Sequence, residues 1–562
     1  MNAPRARLRP DLALPALLAV IPVLHRQVQN PWPTAADALA LGAALAAAVA
    51  LAQVAAYATL RALGARRIAA PTASALAAAG VVLFYGWPPA SDAAHALAGH
   101  HPGLARSASA AALPLLATAW WTKAAWRRGA TRAAHALAAA ARVAFLPAAL
   151  LAAWLGAQIA AAPLRLAYAV RHSAAVRDLT RPIPATRPAI AGPLRDVYIL
   201  VLDAYPAAGP LREVYGIDNT PFLDSLRTLG FHVPAQLRSN YPFTAASLPS
   251  FLNLTDLDPL ARELPPNTPT YALAGHLVEH NRAARLLKAR GYRTVFFPSV
   301  WFPLTRHNRD ADVEFSAPPG FAPARAVWRS ALVSSFAEGT LLRRVLRAHP
   351  TRQAVTTAHL DATFAGLTAL ARRPPDGPPV YAFAHLLIPH PDFAADASCH
   401  AYARNTPLAS DHPSTSPFVR ARLAAFLACA NRQVLATAHA ILARPGPRPI
   451  IIIVGDHGTA GLALFDTPTS SVTPAQVRER FTPFGAFYLP DGGAAAMPDS
   501  TSLVNVLRTV FRTYYGATLP PVPNTLSLLD SDRSLHTTPI DTLTLRPTSR
   551  PTDRAPPSAL HR

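Results

Sequence analysis

The chain has 562 residues, 51% of them hydrophobic and 15% charged, with a formal net charge of +22. That length leaves room for more than one domain. A basic excess of this size would ordinarily suit nucleic acid, but here it is spread over short loops, a linker and a tail. With no compact basic stripe and no nucleic-acid motif, that partner is excluded in favour of anionic lipid head groups.

Residues 1 to 163 are mostly Ala, Leu and Val, with weakly polar runs at about 12 to 26, 36 to 60, 68 to 88, 109 to 122 and 143 to 162. Several approach the roughly 20 residues that cross a bilayer as a helix. Arg5, Arg7 and Arg9 precede the first run, Arg61, Arg66 and Arg67 follow the second, and Lys123, Arg127, Arg128 and Arg132 follow the fourth. The alternate loops carry mainly Arg26 and Arg106. This positive-inside bias predicts five spans, a cytoplasmic N-terminus, and everything after about residue 163 on the other side. The near absence of acidic residues in the runs, and Trp32, Trp87, Trp120 and Trp121 at their ends, oppose the alternative of a soluble Ala-rich bundle. A cleavable signal peptide is the other reading of the first run, but no clear small-x-small site stands before Arg26.

Residues 164 to 192, with Arg165, Arg171, Arg177 and Arg181 and then Pro182, Pro184 and Pro188, read as a juxtamembrane linker. From 193 to 530, strand-like runs alternate with helix-like ones. VYILVLD precedes a helical TPFLDSLRTLGF; GHLVEHNRAARLLKARGY leads into a third strand, RTVFFPSV; VYAFAHLLI at 380 to 388 reads as a fourth strand; and the amphipathic FVRARLAAFLACANRQVLATAHAILAR precedes PIIIIVGDHG. This rhythm predicts an α/β domain with a mostly parallel sheet. Cys399 and Cys429 both fall in this half, where an oxidising compartment permits a disulfide, although two buried thiols would leave the same sequence. Residues 531 to 562, rich in Thr, Ser, Pro and Arg, are expected to be disordered.

The chemistry concentrates at strand ends. Pro449 to Gly458 reads as a strand buried on both faces with Asp456 and His457 just past its carboxyl end, where an open α/β sheet places its site. An Asp oxygen and a His nitrogen suit a divalent ion, though a capped turn would look alike. Asp196 to Pro206 likewise delivers Asp203 at a strand end, with a turn or helix cap as the plainer reading. SNYPFTAASLPSF places Thr244, Ser247 and Ser250 near a helix start, where unpaired amides favour an anionic oxygen and a hydroxyl beside a metal becomes a nucleophile. A Ser/Thr-rich capped loop explains the same residues. His390, in IPHPDF, suits general acid work or a hydrogen bond to a phosphoryl oxygen, or is simply a turn His between prolines. His385, in mid-strand, reads as structural, and Arg306, His307, Asn308, Trp301 and Phe302 are candidates for lining the same crevice.

Together these segments resemble the alkaline phosphatase and sulfatase superfamily. In layout they resemble its membrane-anchored branch, the phosphoethanolamine transferases and lipoteichoic acid synthases. The resemblance implies an N-terminal five-helix transmembrane domain followed by an α/β alkaline-phosphatase/sulfatase-like domain with a mostly parallel sheet. It also implies a bacterial inner membrane location with the catalytic domain periplasmic. In that branch one metal is held by an acidic residue after the first strand, a nucleophilic Thr, and an Asp-His pair before Gly. Asp203, Thr244, Asp456 and His457 match those positions, and TAASLPSF resembles the Thr-Ala-x-Ser-Val-Pro stretch around the nucleophile. One divalent ion, Zn or Mn, follows from that match. His390 resembles the His-x-Pro-Phe stretch of the lipoteichoic acid synthases that helps bind the head group. Against arylsulfatases, whose motif is C/S-x-P-x-R, SLPSF has Phe251 in place of Arg, which disfavours formylglycine chemistry. Asp-His-Gly is followed by TAGLALFDTP rather than by Glu and a further His, which leaves the substrate class open.

The resemblance implies a metal-dependent enzyme that moves a phosphoryl-linked head group of phosphoethanolamine or phosphoglycerol type. The donor would be a membrane phospholipid and the acceptor an envelope glycan or lipid, with transfer through Thr244 and no nucleic acid involved. The alternatives are a hydrolase of phosphate or sulfate esters with the same fold, and a non-catalytic membrane scaffold.

Overall fold

The computed structural model describes residues 9–29, 35–97, 130–264, 270–299, 303–315, 332–333, 336, 340–342, 352–391, 393–403, 414–529, 535–541 and 546–547. The chain divides into two compact units, residues 1–165 with 322–351, and residues 166–321 with 352–562.

The first unit is helical: α1 (Pro10–Gln29), α2 (Ala35–Ala62), α3 (Ala69–Leu97) and the start of α4 (Ala130–His172). Each contains a stretch long and apolar enough to cross a membrane, namely Pro10–Val28, Asp37–Ala62, Ala69–Gly86 and Ala134–His172. Four of the five expected spans are therefore present as helices, while the run at 109 to 122, with Trp120 and Trp121, lies outside the described residues, as does Trp32. Small residues let the first three helices approach closely: Ala19, Ala38 and Ala73 are buried, and the Tyr85 hydroxyl donates to the Ala19 carbonyl at 2.7 Å. Leu51, Val54, Val143 and Leu146 are exposed, a distribution suited to lipid rather than water. Leu332 and Phe336, in the stretch 193 to 530 whose composition reads as one α/β domain, group with this unit. The reason is apolar packing: Leu332 and Phe336 are buried with Val23 and Ala38, and Phe336 also meets the Phe84 and Tyr85 rings.

The second unit is α/β. Its strands are β1 (Val197–Leu202), β2 (Gln236–Arg238), β3 (Arg293–Phe297), β4 (Val313–Glu314), β5 (Val380–Leu386), β6 (Ile450–Gly455), β7 (Gly485–Tyr488), β8 (Ser500–Ser502), β9 (Leu526–Leu529), β10 (Thr537–Asp541) and β11 (Arg546–Pro547). The main sheet runs β4-β3-β5-β1-β6-β7, parallel except for the β6–β7 pair. β2 pairs with β8, and β9 to β11 form a small antiparallel sheet. β10 and β11 fall in the segment expected to be disordered; Ile540 is buried with Leu526 and Leu528, which is the apolar contact that holds this strand.

The central strands are apolar throughout because both of their faces are covered. Val197, Ile199 and Val201 of β1 enter one core with Tyr381, Phe383, Ile450, Ile452 and Val454. Tyr198, Leu200 and Leu202 enter the other with Ala382, Ala384, Leu386, Ile451 and Ile453. Cys399 and Cys429 form a disulfide, which joins the loop after β5 to the long helix Pro417–Leu442.

A reporter enzyme fused after residue 165 is expected to be active only on the non-cytoplasmic side, since the Arg-bearing loops set the orientation. Cytoplasmic activity of that fusion would overturn the topology.

Candidate active site

Register brings the chemistry together. In the parallel sheet Leu202 pairs with both Leu386 and Gly455, and Val201 with His385. Asp203 and Asp456 thus each stand one residue beyond paired positions of neighbouring strands. Because side chains alternate along a strand, Asp203, His385 and Asp456 continue the rows of Val201, Phe383 and Val454 and so share one face. One ligand atom from each lies within 4.8 Å of the others, and all three residues are buried.

The carboxylates are held at their backbones and left open at their oxygens. The Asp203 amide donates to the Leu386 carbonyl at 2.9 Å, yet neither carboxylate oxygen of Asp203 has a hydrogen-bond partner. In Asp456, Oδ1 accepts from the Ala204 and His457 amides at 3.1 and 3.0 Å, while Oδ2 is unpartnered. The Ala204 amide reaches Asp456 because Ala204 sits in the left-handed region at φ 59°, uncommon for a residue with a Cβ. Burial and the Asp203 charge raise the Asp456 carboxyl to about 7. Burial acts upward on Asp203 as well, but His390, His385 and His457 together outweigh it and hold that carboxyl low. Two buried carboxylates with open oxygens, flanked by imidazoles, are the donor set of a site for a divalent cation. The residues present fit such an ion.

Thr244 opens the helix Thr244–Asn253, which has no side-chain cap, and its hydroxyl lies 3.1 Å from His457 Nε2. His457 Nδ1 is 3.0 Å from the Gly458 carbonyl, which makes Nδ1 the protonated nitrogen and leaves the Nε2 lone pair facing the site. Nε2 is also 3.3 Å from Asp456 Oδ2 and 3.8 Å from Asp203 Oδ1. Burial and the nearby Arg480 guanidinium push His457 well below the usual imidazole range, so it is neutral at pH 7. The Ser247 hydroxyl donates to the Asp456 carbonyl at 2.6 Å, and the Ser250 hydroxyl donates to the Thr255 carbonyl at 2.8 Å, so both serve the backbone.

Among the predicted residues, Asp203, Thr244, Asp456 and His457 are thus brought to one place. His390 follows a cis Ile388–Pro389 bond and acts electrostatically on Asp203. His385 is not merely structural. Its Nε2 is 3.5 Å from Asp203 Oδ2, and its Nδ1 meets the Thr305 hydroxyl at 2.7 Å, so its mid-strand position hides a place at the sheet edge. His307 and Asn308 are instead engaged by Glu314, through the His307 ring and the Asn308 amide, both at 2.9 Å. Trp301 and Phe302 lie outside the described residues. Arg480 and Glu479 were missed, since nothing in ERF at 479 to 481 marks them locally. Glu479 accepts from the Tyr215 and Thr459 hydroxyls and the Gly461 and Leu462 amides, which pins the loop after Asp-His-Gly.

No family model matches the chain, and no curated protein matches it. Solved structures do. The C-terminal periplasmic domain of EptC from Escherichia coli, in complex with Zn, is 13% identical; the match covers 65% of this chain and 97% of that one, with a TM-score of 0.41. An alkaline phosphatase superfamily protein from Vibrio parahaemolyticus is 12% identical over 69% of this chain and 90% of its own, with a TM-score of 0.38. A putative sulfatase from Bacteroides thetaiotaomicron is 13% identical over 61% and 80%, with a TM-score of 0.36.

Gly458 carries a local constraint: a Cβ there would lie 2.0 Å from the Glu479 carbonyl oxygen. Gly458→Ala is expected to lower stability by about 3 kcal/mol or to displace His457, read by thermal melting and divalent-metal content. Wild-type values of both would show that this close approach does not hold the site. At these low identities the chain is thus similar to the periplasmic domain of EptC, to an alkaline phosphatase superfamily protein and to a putative sulfatase.

Proposed function

We propose that the protein is a metal-dependent enzyme of the alkaline phosphatase and sulfatase superfamily. In this reading it moves a phosphoryl-linked head group from a membrane phospholipid to an envelope acceptor through Thr244. The observation that carries the reading is the Thr244 hydroxyl, buried at a helix start, 3.1 Å from His457 Nε2 and beside the open carboxylate oxygens of Asp203 and Asp456. Asp203, Asp456 and His457 would hold one divalent ion, with His385 as a further donor. Such an ion supplies a lowered pKa for the Thr244 hydroxyl and charge stabilisation for the transferring oxygens.

In this mechanism the Thr244 oxygen attacks phosphorus, and the bond from phosphorus to the diacylglycerol oxygen breaks. His390, just past β5 and close enough to act electrostatically on Asp203, would give that departing oxygen a proton. An acceptor hydroxyl then gives its proton back to His390 and its oxygen displaces the Thr244 oxygen from phosphorus. Four apolar helices support attachment to a membrane, and the Cys399–Cys429 disulfide supports an oxidising, extracytoplasmic location for the second unit.

Incubation with mixed phospholipids followed by mass spectrometry of the Thr244 peptide tests the reading. Thr244→Ala should abolish the covalent adduct and lower turnover roughly 10³-fold or more. Ser247→Ala, which removes one hydrogen bond to the Asp456 carbonyl, should cost about 1 kcal/mol of stability and keep the adduct. Labelling on Ser247 with an active Thr244→Ala variant would sink the transferase assignment.

Two further variants separate binding of the ion from chemistry. Asp456→Ala should remove bound metal and leave the fold largely intact, since the sheet forms without it. His390→Ala should lower turnover about 10²-fold with metal content unchanged. Equal loss of both in His390→Ala would make it a ligand.

A further inference from the structure

Arg480 is 6% exposed, and among the described residues no carboxylate lies within ion-pairing distance of it. Asp456, Asp203 and Glu479 act on it only at longer range, and the Glu479 carboxylate is taken up by its own four donors. A buried cation without a counter-charge costs several kcal/mol and is retained where an anion arrives to meet it.

The guanidinium is fixed in orientation. Nε donates to the Pro242 carbonyl at 2.5 Å and Nη1 to the Gly458 carbonyl at 2.6 Å, which ties it to the residues flanking both Thr244 and His457. The Phe243 and Phe465 rings, stacked on each other at 4.3 Å, lie 5.5 and 4.8 Å from its central carbon. What remains is Nη2, 3.4 Å from His457 Nε2, the same atom that the Thr244 hydroxyl approaches at 3.1 Å. Two donors contend for one lone pair, so a ligand that engages Nε2 releases both the nucleophile and an N–H of the arginine into the same small volume.

Resting on the Thr244 reading above, we propose that Arg480 is the anion-holding residue of the site. Its free N–H groups would bind a non-bridging oxygen of a tetrahedral oxyanion, a phosphoryl or sulfuryl group, at the moment Thr244 engages its central atom. The aromatic pair shields the guanidinium from water and so strengthens its interaction with the anion.

The test uses full-length protein in detergent, melted with inorganic phosphate or inorganic sulfate, against chloride at equal ionic strength. Both oxyanions should raise the melting temperature of the wild type and of Thr244→Ala. Arg480→Lys, which keeps the charge and loses the planar fork, should weaken that binding about tenfold or more. Arg480→Gln, which keeps an amide donor for the carbonyls, serves if the Lys variant does not fold. Absence of oxyanion-dependent stabilisation in the wild type overturns the proposal, as does unchanged affinity in a folded Arg480 variant. If Thr244→Ala stays active while oxyanion binding still depends on Arg480, the nucleophile reading fails and this one stands.

Discussion

Two carboxylates that cannot comfortably be charged together lie side by side, out of water, at the ends of adjacent parallel strands. Everything around Asp203 and Asp456 answers to that conflict. Asp456 is oriented by the Ala204 and His457 amides, Asp203 is anchored through its own amide on the Leu386 carbonyl, three imidazoles lie within electrostatic reach of Asp203, and Arg480 adds a positive charge at longer range. Burial pushes the Asp456 carboxyl up to about 7 with the Asp203 charge behind it, an electrostatic stress that a bound cation would relieve.

The fold sustains that stress because the sheet beneath it is committed. Four isoleucines and a valine in β6, and six buried residues in β1, bury these strands on both faces and so hold them at the centre of the sheet. Close approach completes the arrangement. Gly455 lies where a Cβ would meet the Tyr205 carbonyl at 2.3 Å, so the loops after β1 and β6 touch backbone to backbone. Ala204 takes up a left-handed conformation in the same place, and its amide becomes a ligand of Asp456. Local strain is accepted there because it aims a donor at the buried carboxylate.

The loop beyond Asp-His-Gly is organised by one buried acid rather than by regular structure. Glu479 collects four donors, and the next residue, Arg480, turns toward the Pro242 carbonyl, two residues before Thr244. A single dipeptide therefore couples the shape of the loop to the electrostatics of the site. The hydroxyl of Ser247 shows the same economy: it secures the Asp456 backbone and leaves Thr244 as the hydroxyl that faces His457.

Runs of one residue class were legible without coordinates. The apolar strands before Asp203 and Asp456, the alternation that implies a parallel sheet, and the apolar helices of the first unit all follow from local patterning, because burial on both faces or in lipid constrains composition directly. Thr244 and His457 were legible as candidates from their short motifs. What only the tertiary structure decided depends on contacts between distant segments. His385 looks like any polar residue in a strand until register sets it beside Asp203, and Leu332 and Phe336 look like part of the α/β half until they pack with Val23 and Ala38. β10 sits in a Thr- and Pro-rich tail whose composition carries no strand signal, yet Ile540 finds a pocket between Leu526 and Leu528. Arg480 is the sharpest case: an arginine between Glu and Phe reads as surface, and only the closure of the 242–244 and 457–458 segments around it makes it a buried cation with no carboxylate at ion-pairing distance among the described residues.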